Sequence, residues 1–442
     1  MSQVQKLVRV KAVVVACIIA CPAMVIAATT TNATWTGGSS SSNNWNDTAN
    51  WVNALQPDGG GSSTIHFAGA DRLTPNNDYG DYTQFNRIFF DNGASSFTLN
   101  GAAVKLAGQM NAPAKIENNS SVLQTVNFSS SGGTSLIYNG GGELDPTVGD
   151  LTINNNIYVD NNGNLDVYGN SGHTLRLNGG LFNGNTTTSL IVHDNSTVRL
   201  SAASGYGGGT SLLAGKLVAA NTSGSATGSG SVNVSSGATL TGFQTAGVGG
   251  SISGSVSVSG TITAGSGASD IDSIGKLTTG NQAWNSGGTD TVKFNANAGT
   301  AGTNWDLLSM GTLSISSGFK LTLLAITGGS FVIGSPATYQ IATTGTITTT
   351  VAAATTYNPA VTGGTAAGGQ NLTSLFVLNS DALANIDESH FKVLAGGDGT
   401  GLVLSYDGGG VESAPEPTTA CLAGLAGAMV LGSRRGRRKV TN

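Results

Sequence analysis

The sequence predicts an all-β protein: a parallel β-helix (β-solenoid) with a capping N-terminal module, a β-rich C-terminal module and a C-terminal apolar segment. Three observations carry that expectation. Apolar and polar residues alternate in short pieces whose spacing is about seven to twelve residues, a strand signal repeated too often for a helical protein. Between the pieces sit Asn-Gly, Gly-Gly, Asn-Asn and Ser-Gly pairs, which supply positive φ and side-chain caps for tight turns. Charge is scarce: 19 Lys and Arg and 24 Asp and Glu stand in 442 residues that include 66 Gly, far below the usual quarter or so of charged residues. Strands this short cannot bury a face alone, whereas stacked turns close a continuous core. A β-sandwich array fits the same short strands and regular turns. The net charge of −5 excludes the basic face expected of a nucleic-acid binder.

In chain order, Lys6, Arg9 and Lys11 precede an apolar run from Ala12 to Cys21, then Pro22 and the small residues ending at Val25-Ile26-Ala27. This predicts a secretory signal peptide over 1–27, cut after Ala27 by a signal peptidase. An alternative takes Ile18-Ile19-Ala20-Cys21 as a lipobox with Cys21 acylated, although Cys17 stands where such a box wants an aliphatic residue. Residues 28–90 hold Trp35, Trp45 and Trp51. They read as a plug over the first open coil, since a solenoid end exposes its core; the alternative is that they stack on sugar rings.

Residues 91–342 are the expected solenoid. Phe97-Thr98-Leu99, Val104-Lys105-Leu106, Leu151-Thr152-Ile153, Leu165-Asp166-Val167, Thr174 to Leu177 and Thr197 to Leu200 each alternate with period two. Asn155-Asn156 and Asn161-Asn162 read more simply as turn residues than as ligand sites. Within 228–280, Val232-Asn233-Val234, Gly237-Ala238-Thr239-Leu240 and Val256-Ser257-Val258-Ser259-Gly260-Thr261 resemble the autotransporter-associated β-strand repeat. The resemblance implies strands wound around a β-helix, with Ala264-Gly265 standing where the family usually has Pro-Gly. Segments at both ends of the body, such as Thr34-Trp35-Thr36-Gly37-Gly38 and Gly311-Thr312-Leu313-Ser314-Ile315, resemble the modules that flank such repeats.

Residues 343–373, rich in Thr, Ala and Gly, predict a loop or loose coil, and 374–411 a β module with one short helix over Asp381–Glu388 capped by Ser380. The last segment, 412–442, has Pro415-Glu416-Pro417, a nearly uncharged run at 418–433, and Arg434, Arg435, Arg437, Arg438 and Lys439. As a helix that run reaches about 24 Å, short of a hydrocarbon core of about 30 Å, and the basic cluster behind it is a stop-transfer signal. The combination resembles the PEP-CTERM sorting signal. The resemblance implies processing near Pro415-Glu416-Pro417 by a membrane exosortase, with 418–433 holding the precursor in the membrane. A plain C-terminal anchor is the alternative. With both ends removed, residues 28–415 carry 11 basic and 23 acidic residues, a net −12, and no cysteine, because Cys17, Cys21 and Cys421 lie in the terminal segments. The body therefore depends on burial and hydrogen bonds without disulfides.

Catalytic patterns are few. His66, His173, His193 and His390 are scattered with no metal-ligand spacing, so no cofactor or metal is expected. Gly396 to Gly401 is similar to a Gly-rich calcium turn but occurs once, and such sites act in stacks. Parallel β-helices include polysaccharide lyases, whose chemistry needs a carboxylate cluster with a basic side chain. Asp160 with Asp166, and Asp270 with Asp272, are the close acidic pairs, and surface turns explain them more simply. The expected function is that of an exported bacterial surface or matrix protein, structural or adhesive, associated with exopolysaccharide or another surface glycan. A β-helix polysaccharide lyase or glycoside hydrolase is the alternative.

Overall fold

A computed structural model describes residues 32–410, apart from 110–112, 131–132, 134–135, 184–186, 244–248, 266–272, 297, 332–333, 350–355, 358–368, 384–385 and 397–400. Alternation sends every second side chain of a short strand inward. Three strands separated by turns then make one coil, and the next coil pairs with it in parallel. Val104–Ala107, Lys115–Asn118 and Gln124–Val126 form one such coil; Leu136–Asn139, Gly142–Asp145 and Leu151–Ile153 form the next. Coils run from 19 residues, Thr197 to Lys216, to 34, Thr312 to Thr346, before a longer return of 57 from Phe319 to Phe376.

The stack has three sides. Sheet A has 14 strands, parallel from Asn32–Trp35 to Thr346–Thr349 and closed by the antiparallel Thr356–Tyr357. Sheet B has 12 strands, from Asn76–Asn77 to Phe376–Asn379. The third side is a five-stranded sheet from Thr83–Phe85 to Leu181–Asn183 and then a six-stranded sheet beginning at Gly250–Ser251. Parallel pairing of sequential coils excludes the sandwich array, whose sheets are antiparallel. All six alternating pieces read from the sequence lie in or overlap these strands.

Inward positions align into ladders. Along sheet A one ladder runs Ala33, Ile65, Ile88, Ile116, Leu144, Val167, Val192, Leu212, Val234, Val258, Trp284, Ile315. All are buried, and each large aliphatic side chain so buried contributes about 1.5–3 kcal/mol. The region resembling a repeat follows the same rule: Val232 stacks on Val256, and Leu240 on Ile262.

The first coils belong to the same stack, since Asn32–Trp35 pairs with Thr64–Phe67 in sheet A. Trp35 and Trp45 are fully buried and Trp51 is 3% exposed. Trp35 and Trp51 pack edge to face at 5.1 Å, and Trp45 sits 5.7 Å from Phe85 and 6.0 Å from Phe128. The Trp51 Nε1–H donates to the Trp45 carbonyl at 2.7 Å. Sugar stacking by these three rings is thereby corrected: their faces are spent on one another and on core Phe residues.

Toward the C-terminus two expectations change. Thr346–Thr349 extends sheet A, so the Thr-rich segment predicted as loop begins with a strand whose threonines suit the pleat. Asp381–Leu383 form a turn, not a helix, and Ser380 donates its hydroxyl to the Ile386 carbonyl, an interaction that competes with helix. The helical turn there is the 3₁₀ segment Glu388–His390, capped by Asp387. The chain ends its described course with Phe391–Ala395 and Ala337–Thr343 each pairing antiparallel with Leu402–Tyr406.

Candidate functional site

The outward positions of sheet A bring together several of the charges that the sequence spreads thinly. Lys115 and Glu117 project from one strand, Glu143 and Asp145 from the next, and Asp166 from the third, with Glu143 in register with both Lys115 and Asp166 and Asp145 with Glu117. Adjacent strands lie about 4.8 Å apart, so residues one coil apart in sequence become direct neighbours. Lys115 Nζ lies 2.6 Å from Asp145, 2.9 Å from Glu143 and 3.5 Å from Glu117. One ammonium thus serves three carboxylates.

Their environments differ. Asp145 is 3% exposed, and burial pushes its carboxyl up to about 6; Lys115 pulls it down, while Glu143 and Glu117 push it further up. Burial works against the Lys115 charge, but its hydrogen bonds to Asp145 and Glu143 outweigh that effect and hold the ammonium protonated well above the ordinary lysine range. The next coils extend the polar row. His193 Nε2 meets Asp166 at 2.7 Å, and its ring stacks on Tyr168 with centroids 4.3 Å apart. The Tyr168 backbone N–H donates to Asp145 at 3.3 Å.

Beside this cluster, where the third side turns into sheet A, lies a groove of about 570 Å³ lined by Gln109, Asn139, Glu143, Asn162, Asn164 and Asp166 together with glycines. Its floor depends on those glycines. A Cβ on Gly163 would lie 2.0 Å from the Gly141 nitrogen, and Gly141 has φ +92°. Asn161 and Asn162, at φ 56° and 60°, take the left-handed conformation that asparagine tolerates. Asn161 donates to Asn139, and Asn162 accepts from Thr187 at 2.7 Å. Asn155 and Asn156 accept from the backbone N–H groups of Phe128 and Gly180. These asparagines build turns, and two of the turns form the groove wall.

The acidic pairs read from the sequence fare differently. Asp160 ends a strand of the third side while Asp166 lies on sheet A across the turn 161–164. Asp166 is instead joined to His193. Asp270 and Asp272 lie outside the described residues, as do Ala27, Cys21, Pro415, Glu416, Pro417, Arg434, Arg435, Arg437, Arg438, the segment 418–433 and residues 397–400 of the glycine-rich turn. His66 and His390 each pair with an aspartate, Asp91 and Asp407. Among the described residues no group of three or more His, Cys, Asp or Glu could hold a metal ion.

The Lys115 cluster was missed by reading the sequence linearly. Its signal was there: Lys115-x-Glu117 and Glu143-x-Asp145 are outward-facing charged pairs one coil apart. The groove can offer amide donors and carboxylate acceptors to hydroxyl groups, and Lys115, protonated and held by three carboxylates, is unsuited to removing a proton. No family model matches this chain and no curated protein is significantly similar to it, so the site is interpreted from its own chemistry.

Proposed function

We propose that this chain is an exported bacterial surface or matrix protein, structural and adhesive, that holds a hydroxyl-rich polysaccharide along the side of its solenoid. The observation that carries the reading is the groove at Asn139, Glu143, Asn164 and Asp166, where amides and carboxylates converge on a rigid backbone. Sugar hydroxyls both donate and accept, and such a lining supplies both partners. Weak contacts at one groove gain strength when a polymer meets many copies. The sequence patterns at the two ends support the address: a signal peptide cut at Ala27, and a tail resembling PEP-CTERM that holds the precursor at the membrane until an exosortase acts.

The test is retention of the exported body, residues 28–414, on a glycan array and on exopolysaccharide from the producing cells. The double change Asn139→Ala and Asn164→Ala should abolish retention while leaving the circular dichroism spectrum intact. Absence of retention on every polymer, or retention unaffected by the double change, refutes the groove assignment. Release of reducing ends or unsaturated uronates from any retained polymer favours the enzyme alternative.

A further inference from the structure

The hydrogen bonds already made within the groove wall decide which polar atoms remain for a ligand. Asn139 Oδ1 accepts from Asn161, and Asn162 Oδ1 accepts from Thr187 at 2.7 Å. Both asparagines therefore keep an amide nitrogen to donate. Gln109 is the reverse: its Nε2 donates to the Gly61 carbonyl at 2.8 Å, which leaves Oε1 to accept. Glu143 and Asp166 stand in register on neighbouring strands, about 4.8 Å apart across the sheet. Glu143 meets Lys115 through Oε2, and Asp166 meets His193 through Oδ1, so each carboxylate has a second oxygen to offer. A neutral sugar finds amide N–H groups for its oxygens here and carboxylate oxygens for its hydroxyl protons.

An acidic sugar meets a different environment. No lysine or arginine is among the described residues that line the groove. Lys115, the ammonium bonded to Glu143, also serves Asp145 and Glu117. With Asp166, four carboxylates gather around one ammonium. A sugar carboxylate seated against Glu143 and Asp166 would face two like charges with no free counter-charge, and like charges set together across an interface are costly. A hydroxyl in the same place incurs no such cost. Recognition of a carboxylate calls for a free guanidinium or ammonium, which this lining lacks.

Resting on the polysaccharide reading of this groove, we propose that its ligand is an uncharged hexose polymer, that polyuronates are rejected, and that Glu143 and Asp166 set this specificity. The two carboxylates act in both directions. Each accepts charge-assisted hydrogen bonds from sugar hydroxyls, the stronger kind, and together they repel a polymer in which carboxylates replace hydroxymethyl groups. Specificity of this sort needs the repulsive element as well as the attractive one. The amides of Asn139 and Asn162 hold the sugar, and the carboxylates choose it.

The test measures binding of the full chain to exopolysaccharide from the producing cells, split by anion exchange into neutral and acidic fractions. A matched probe is the neutral fraction after oxidation of its primary hydroxyls to carboxylates. Binding should be confined to the neutral fraction and fall about tenfold or more on the oxidised polymer, since each like charge about 5 Å away in water costs a factor of about four. Salt at about 0.5 M should narrow that gap by screening the repulsion. The double change Glu143→Gln and Asp166→Asn should move the two polymers in opposite directions, weakening the neutral one and strengthening the oxidised one about tenfold. Misfolding would weaken both, and the wild-type comparison across salt then decides alone. Because residues 28–415 carry a net −12, Asp381→Asn controls for general repulsion: it removes an exposed carboxylate far along the chain from the groove and should change neither binding. Equal or stronger binding of the acidic or oxidised polymer overturns this proposal and leaves the groove reading standing. Absence of binding to every fraction overturns both.

Discussion

Replacing Lys115 by Met removes one charge but keeps the length of the side chain, so the apolar stem still packs. The loss separates into two parts. Glu143 and Glu117 are each about one-fifth exposed, and contacts of that kind are worth about 0.2–1 kcal/mol apiece. Asp145 behaves differently because it is buried and already held up to about 6 with Lys115 present. Without the lysine its pKa climbs further, and at a given pH the folded variant loses about 1.4 kcal/mol for each unit by which that pH exceeds 6, until the variant's own pKa is reached. The expected cost of Lys115→Met is therefore about 1 kcal/mol at pH 5, where Asp145 is protonated in both proteins, and about 2–3 kcal/mol at pH 7. Urea denaturation followed by tryptophan fluorescence measures both, since Trp35, Trp45 and Trp51 are buried in the neighbouring coils. A loss that is the same at pH 5 and pH 7, or one that shrinks as pH rises, refutes the reasoning that Asp145 is the partner with most at stake.

Three further outcomes follow from the same structure. Asp145 is raised from 3.8 to about 6 in the folded state, so the folded chain binds more protons than the unfolded one between those pH values; stability present at pH 4 falls by about 2 kcal/mol as pH rises to 6, and Asp145→Asn should flatten that slope in a pH series of urea midpoints. Parallel wild-type and variant curves contradict it. Trp45→Ala empties the aromatic cluster between Trp51, Phe67, Phe85 and Phe128 and should cost about 3–5 kcal/mol, read as a lowered melting temperature; a shift of a degree or less shows that the first coils unfold independently of the rest. Gly163→Ala sets a methyl 2.0 Å from the Gly141 nitrogen, so the groove wall must move and polysaccharide retention should fall with little change in sheet content by circular dichroism. Undiminished retention places the ligand elsewhere.

What the sequence made legible depends on whether a signal is local. The alternation in Thr174-Leu175-Arg176-Leu177 or Thr197-Val198-Arg199-Leu200 lies within one strand, and both are strands paired in register. The burial of Trp45 was less legible, because indole rings suit a core and a sugar equally well and only the packing partners decide. The site was least legible, since it exists only across coils. Where coil length is nearly constant, as from Val232 to Val256 and from Leu240 to Ile262, the repeat shows in the sequence. From Lys115 to Glu143 and then to Asp166 the interval changes from 28 to 23 residues, because turns of unequal length are inserted while the ladder stays in register. Those unequal turns are also what form the groove. The irregularity that hid the charged neighbours from a linear reading is thus the same irregularity that makes room for a ligand. Asp290 is the interior counterpart: only the ladder from Ile262 to Leu321 reveals that a carboxyl stands where the core requires an aliphatic side chain.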